Sequence, residues 1–120
     1  MNEYKEKLKN KMDAYVHWVY KVTKQFPQSE LYGSTSQFRR ASMSIVLNYI
    51  EGYARKKNLV QLNFYETSFG SYKESRYLID FAYVEGWISE EDKEVGVTMA
   101  EEIGAMLWRD LEQQKDYAHN

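Results

Sequence analysis

YGSTSQFRRASMSIVLNYIEGYARK, residues 32–56, contains no proline, and its two glycines lie near its ends. Phe38, Ala41, Ile45, Tyr49 and Gly52 recur at steps of three or four, the spacing of one helix face. The pattern predicts a helix over 34–55. Ser34 is the first candidate for its N-cap, with Thr35 and Ser36 as neighbouring alternatives. Ala41, Ser42, Ser44 and Gly52 are small and would admit a second helix at close range. Val46, Leu47 and Ile50 add apolar area on other sides. A helix apolar on more than one flank is expected to be covered on more than one flank.

Similar helical patterns lie on either side. Upstream, Leu8, Met12, Tyr15, Val16, Val19 and Val22 form a stripe, widened by Trp18, that predicts a helix over 3–25. Phe26-Pro27 ends it, because proline lacks the amide hydrogen and restrains the residue before it. Downstream, Lys56-Lys57-Asn58 reads as a short turn. Leu62, Tyr65, Phe69, Tyr72, Ile79 and Tyr83 predict a third helix over 59–84, with Arg76 interrupting its stripe. Gly70-Ser71 in mid-helix is read as a packing contact. Gly86 is placed at a left-handed C-cap, and Ser89 with Asp92 resembles a capping box. Val95, Met99, Ile103, Met106, Leu107 and Leu111 predict a fourth helix over 89–114, followed by a fraying tail. Amphipathic helices joined by short links predict one all-α domain over 1–120, an up-down-up-down four-helix bundle.

Composition narrows the chemistry. There is no cysteine, so disulfides, thiol catalysis and cysteine-held clusters are excluded. Of the two histidines, His17 is read as a surface residue, and His119 stands beside the C-terminal residue. Neither belongs to an HExxH or Glu-x-x-His motif, and no phosphate loop or dinucleotide fingerprint is present. The expectation is no catalytic centre, no metal and no cofactor. The acidic residues at 90–94 and at Glu101-Glu102 are read as capping charges and a solvated face. No apolar run reaches the roughly 18 residues that a membrane span needs, and residues 1–15 lack a signal-peptide core. A cytoplasmic location is the expectation. Aromatic residues make up 16% of the chain, more rings than one small core takes, so some are expected at an interface.

The net charge of -2 hides a polarity. Residues 1–57 hold eleven Lys/Arg against five Asp/Glu, and residues 58–120 hold five against thirteen. Either the molecule has a basic and an acidic face, or helices from the two halves neutralise each other. Arg39, Arg40, Arg55, Lys56, Lys57, Lys73 and Arg76 are the candidate nucleic-acid contacts, since cations displace the counterions condensed on phosphates. Arg39 and Arg40 point about 100° apart on a helix and cannot share one groove. One is expected to meet solvent or ligand, the other a carboxylate. Glu51 could pair with Arg55 one turn on, or with an arginine across an interface.

The central segment resembles the signature of the four-helix-bundle proteins encoded in intervening sequences of bacterial 23S ribosomal RNA genes. Tyr32-Gly33, Ser36-Gln37, Arg39-Arg40-Ala41, Ser44-Ile45, Asn48, Glu51-Gly52 and Arg55 carry the likeness. Phe26-Pro27 upstream and Phe69-Gly70-Ser71 with Glu74 downstream extend it. Val46 and Leu47 stand where the family usually has proline and alanine, which predicts a straighter and more apolar second helix. The resemblance implies a pentameric barrel of such subunits. It also implies kinship with the accessory variability protein of diversity-generating retroelements, which works beside a reverse transcriptase with nucleic acid. The expected function is a non-catalytic homo-oligomer, a homopentamer, that binds structured RNA or DNA through repeated basic patches. The alternative is an oligomeric scaffold that binds a protein through the acidic fourth helix and surface aromatics.

Overall fold

Asn2 caps the first helix by accepting the Lys5 amide at 2.8 Å, and Glu3 and Glu6 place negative charge at its positive end. In the computed structural model, which describes residues 1–119, four helices follow. They are α1 (Glu3–Val22), α2 (Ser36–Ala54), α3 (Asn58–Val84) and α4 (Glu90–His119). α1 packs on α2 and α4, α2 on α3, and α3 on α4. The result is an up-down-up-down bundle, 48 × 25 × 20 Å.

The ends are set by local chemistry, with two differences from expectation. The α1–α2 link holds a short 3-10 turn, Gln28–Glu30, and a wide turn, Leu31–Thr35, kinked at Gly33. This turn runs directly into α2. Ser34 is therefore no hydroxyl cap: Thr35 already has helical dihedrals, and its side chain makes no cap bond. The Ser36 amide finds the Gly33 carbonyl, and the Glu30 carboxylate accepts the Ser34 amide at 3.4 Å. At the far end α4 continues through His119, beyond the expected end at 114. Buried Gln114 donates to the Asn58 carbonyl at 3.1 Å and ties this last stretch to the start of α3. Gly86 does take a left-handed φ of 78°, and Ser89 Oγ accepts the Asp92 amide at 3.0 Å. The reciprocal half of that capping box is absent, because Asp92 turns to the Gln25 side chain at 3.2 Å.

Every residue of the expected α1 stripe is buried, and so are Phe38, Ala41, Ile45, Tyr49 and Gly52 of α2. α3 and α4 differ. Their seams include small and polar residues: Ser68, Ser75 and Ala82 on α3, and Gly96, Ala100 and Gly104 on α4. The glycines are seats for large rings. A Cβ at Gly52 would stand 2.8 Å from the Tyr65 ring, at Gly96 2.2 Å from Trp18, and at Gly104 2.4 Å from Tyr72. The bundle absorbs its aromatics in this way. Tyr83 and Val95, expected inside, lie outside, and Phe69 is half-buried. Gly70 does not pack at all: nothing lies within 4 Å of the position its Cβ would take. Buried hydroxyls find partners, with Tyr15 Oη 2.6 Å from Ser75 Oγ and Ser68 Oγ donating to the Ile45 carbonyl at 2.7 Å.

Candidate nucleic-acid interface

The outer side of the α2–α3 pair carries a groove of about 610 Å³. Tyr32 and Gly33 of the wide turn form its rim, Ser36, Gln37, Arg40 and Ser44 of α2 one wall, and Ser71 and Glu74 of α3 the other. The kink at Gly33 turns Tyr32 outward, where its side chain is 93% exposed. Ser44 and Ser71 share a hydrogen bond at 2.8 Å across the helix pair, and the Asn48 amide donates to Ser44 Oγ at 2.9 Å. Gln37 Nε2 donates to Glu74 at 3.2 Å. Arg40 makes no ion pair among the described residues, with Glu74 or with any other carboxylate.

The seven expected basic contacts do not form one patch. Arg39 turns away from the groove onto α1: Nε donates to Thr23 Oγ1 at 2.9 Å, and the guanidinium lies 4.8 Å from the Tyr20 ring centre. Its partner is thus a hydroxyl and a ring, not the carboxylate expected from the sequence. Arg76 is held by Asp80 and by Glu101 of α4, each at 2.9 Å. Burial opposes its charge, but the two carboxylates outweigh burial and raise its pKa above the ordinary arginine value. Arg55 pairs with Glu51 one turn back and lies over the Phe64 ring. Lys56 and Lys57, at the α2–α3 turn, and Lys73, beside Phe69 and Tyr72, form no ion pair among the described residues. Fifteen residues of helix separate Arg40 from Arg55, about 22 Å along the axis.

A second exposed feature lies on the same helix. Arg40, Met43, Leu47, Ile50 and Ala54 follow one another at steps of three and four. Leu47 is 55% exposed, and Ile50 and Tyr53 are each 41% exposed. Leu47 occupies one of the two positions where the family pattern has proline and alanine, and α2 runs unbroken through it.

One buried polar cluster is absent from the sequence reading. Asp110 of α4 is only 4% exposed, yet it holds Lys5 Nζ at 2.7 and 2.8 Å and accepts the Tyr49 hydroxyl. Lys5 Nζ also lies 5.1 Å from the Tyr65 ring centre, and Tyr4 Oη donates to the Met106 carbonyl at 2.7 Å. Burial, then the hydrogen bond to Asp110, pushes the Tyr49 hydroxyl far above its usual range. A lysine and an aspartate 105 positions apart leave no local signal in sequence. Lys11 and Glu102 make a second α1–α4 pair at 2.8 Å, so part of the opposite charge of the two halves is neutralised between helices. No group of three or more His, Cys, Asp or Glu among the described residues could hold a metal ion. No helix of the described chain is long and apolar enough to cross a membrane.

The groove brings together Tyr32-Gly33, Ser36-Gln37, Arg40 and Ser44 from the central segment, with Ser71 and Glu74 from α3. The model of the 23S rRNA-intervening sequence protein family matches residues 5–109. The chain belongs to this family. A solved structure has the same fold: a protein of unknown function from the S23 ribosomal protein family, from Bacteroides thetaiotaomicron. It superposes with a TM-score of 0.83 at 16% identity, covering 91% of this chain and 98% of that one. No curated protein matches the chain.

Proposed function

We propose that this intervening-sequence protein is a non-catalytic homo-oligomer that binds structured RNA or DNA. One observation carries the reading: an exposed apolar stripe on α2 has at both ends cations that form no ion pair among the described residues. Arg40 stands at its start, and Lys56 and Lys57 follow its end. Covering Leu47 and Ile50 with a second copy removes apolar area from water. It also repeats each small basic patch around the assembly, giving a surface that one subunit lacks. The family resemblance favours five copies in a barrel. The likeness to the accessory variability protein of retroelements favours nucleic acid as the ligand. Arg40, Lys56, Lys57 and Lys73 are the working contacts in this reading. Arg39, Arg55 and Arg76 are held within the subunit.

Sedimentation of nuclease-treated protein, with and without structured RNA and duplex DNA, tests the proposal. The expected result is an oligomer that comigrates with nucleic acid and releases it as salt rises, because phosphate contacts displace counterions. Lys56→Ala with Lys57→Ala should lower affinity and flatten the salt slope while helicity is retained. A monomer at high concentration, or an oligomer that binds neither nucleic acid, overturns it. The latter outcome directs attention to a protein partner on α4, where Trp108 and Val95 are about half exposed.

A further inference from the structure

We infer that the α2–α3 groove receives one unstacked guanine nucleotide of a single strand, a reading that rests on nucleic-acid binding and names what the groove itself recognises. The groove holds a cation and a carboxylate, Arg40 and Glu74, that do not pair with each other. A ligand with an anion at one end and hydrogen-bond donors at the other satisfies both. Its volume of about 610 Å³ suits a single nucleotide. At the rim, Tyr32 presents a ring that nothing in the subunit covers, a platform on which a splayed base stacks. Arg40 offers a forked guanidinium to a phosphate.

Glu74 selects the base. A carboxylate only accepts hydrogen bonds. Guanine alone presents two adjacent donors, N1–H and N2–H, on its Watson–Crick edge, matching the two carboxylate oxygens. Uracil presents one donor flanked by two acceptors, which a carboxylate repels. Gln37 donates to Glu74 and holds it toward the groove. The Ser44–Ser71 bond and the Asn48 amide brace the floor, while the Ser36 hydroxyl lies on the α2 wall. A paired guanine has this edge occupied, so the site takes loops, bulges and ends rather than duplex.

The test uses the full-length protein and two labelled oligouridylates of equal length, one with a single central guanine, read by fluorescence anisotropy. The guanine strand is expected to bind about tenfold more tightly, in the range of one bidentate base contact. Glu74→Gln should abolish that preference, and Tyr32→Ala should weaken both strands about tenfold while Tyr32→Phe does not. Circular dichroism shows whether each variant keeps its fold. Equal binding of the two strands by the natural protein, or a guanine preference that survives Glu74→Gln, overturns the inference. If Lys56→Ala with Lys57→Ala still lowers structured-RNA affinity in that case, the nucleic-acid reading stands and only the groove assignment fails. Absence of binding to the oligomers, structured RNA and duplex DNA overturns both.

Discussion

Replacing Asp110 by alanine should destabilise the bundle by about 3 kcal/mol, the lower end of the range for breaking a buried ion pair. The carboxylate is 4% exposed, and its removal strands two donors. Lys5 Nζ loses both charge-assisted bonds, at 2.7 and 2.8 Å, and the buried Tyr49 hydroxyl loses its acceptor. Lys5 keeps some contact with water at 18% exposure, which holds the cost near the lower limit. With an unfolding entropy of about 2.1 cal/mol/K per residue, 120 residues give about 0.25 kcal/mol per degree. The midpoint should therefore fall by about 12 °C. Urea unfolding followed by circular dichroism, repeated at several protein concentrations, measures the loss and separates it from mass-action effects of assembly. Lys5→Met and the double variant complete a cycle. A loss below about 1 kcal/mol, or additivity within about 0.5 kcal/mol, refutes the view that these groups act as one buried unit.

Glycine substitutions should differ in sign. Gly104→Ala should cost about 1–3 kcal/mol, because its Cβ would stand 2.4 Å from Tyr72. Gly70→Ala should stabilise by about 0.5–1 kcal/mol, since the position is helical and open. Thermal unfolding of the two variants checks both. Burial raises the folded-state pKa of Tyr15, Tyr49 and Tyr65 above the ordinary tyrosine value of 10.0. Above that pH the unfolded chain binds fewer protons than the folded one, so stability from these groups is full below about pH 10 and falls as pH rises. With tyrosinate absorbance and helicity recorded together, the part of the absorbance owed to these three should appear only as helicity is lost. Leu47→Glu with Ile50→Glu should shift the assembly toward monomer in sedimentation equilibrium with little loss of helicity. Unchanged mass would remove α2 as the joining face.

The fold was legible where a local rule acts alone. Helix positions followed from three- and four-residue spacing, and the breaks from Phe26-Pro27 and Gly86. α1 and α2 were read almost to the residue because their buried faces are made of large apolar side chains. α3 and α4 were read less well. A seam built of Gly96, Ala100, Gly104, Ser68 and Ser75 lacks a hydrophobic signature; Gly96 and Gly104 leave space for Trp18 and Tyr72, and the two serines bond to Ile45 and Tyr15. The helical stretch of α4 past 114 has no apolar stripe to announce it, and Gln114 at its start is held by Asn58 on another helix.

The candidate site divides in the same way. The sequence by itself determined which residues carry charge, that Arg39 and Arg40 diverge, and the family signature with its expected bundle. These facts are local: residue type fixes the charge, the signature is a run of neighbouring residues, and helix geometry sets the angle between neighbours whatever surrounds them. Only the tertiary structure decided that Arg40 faces a groove with Glu74, that Arg39 and Arg76 are held within the subunit, and that Asp110 anchors Lys5. Those outcomes depend on which side chains from distant helices lie within hydrogen-bonding reach. That distance is set by how the helices pack, and no short stretch of chain encodes it.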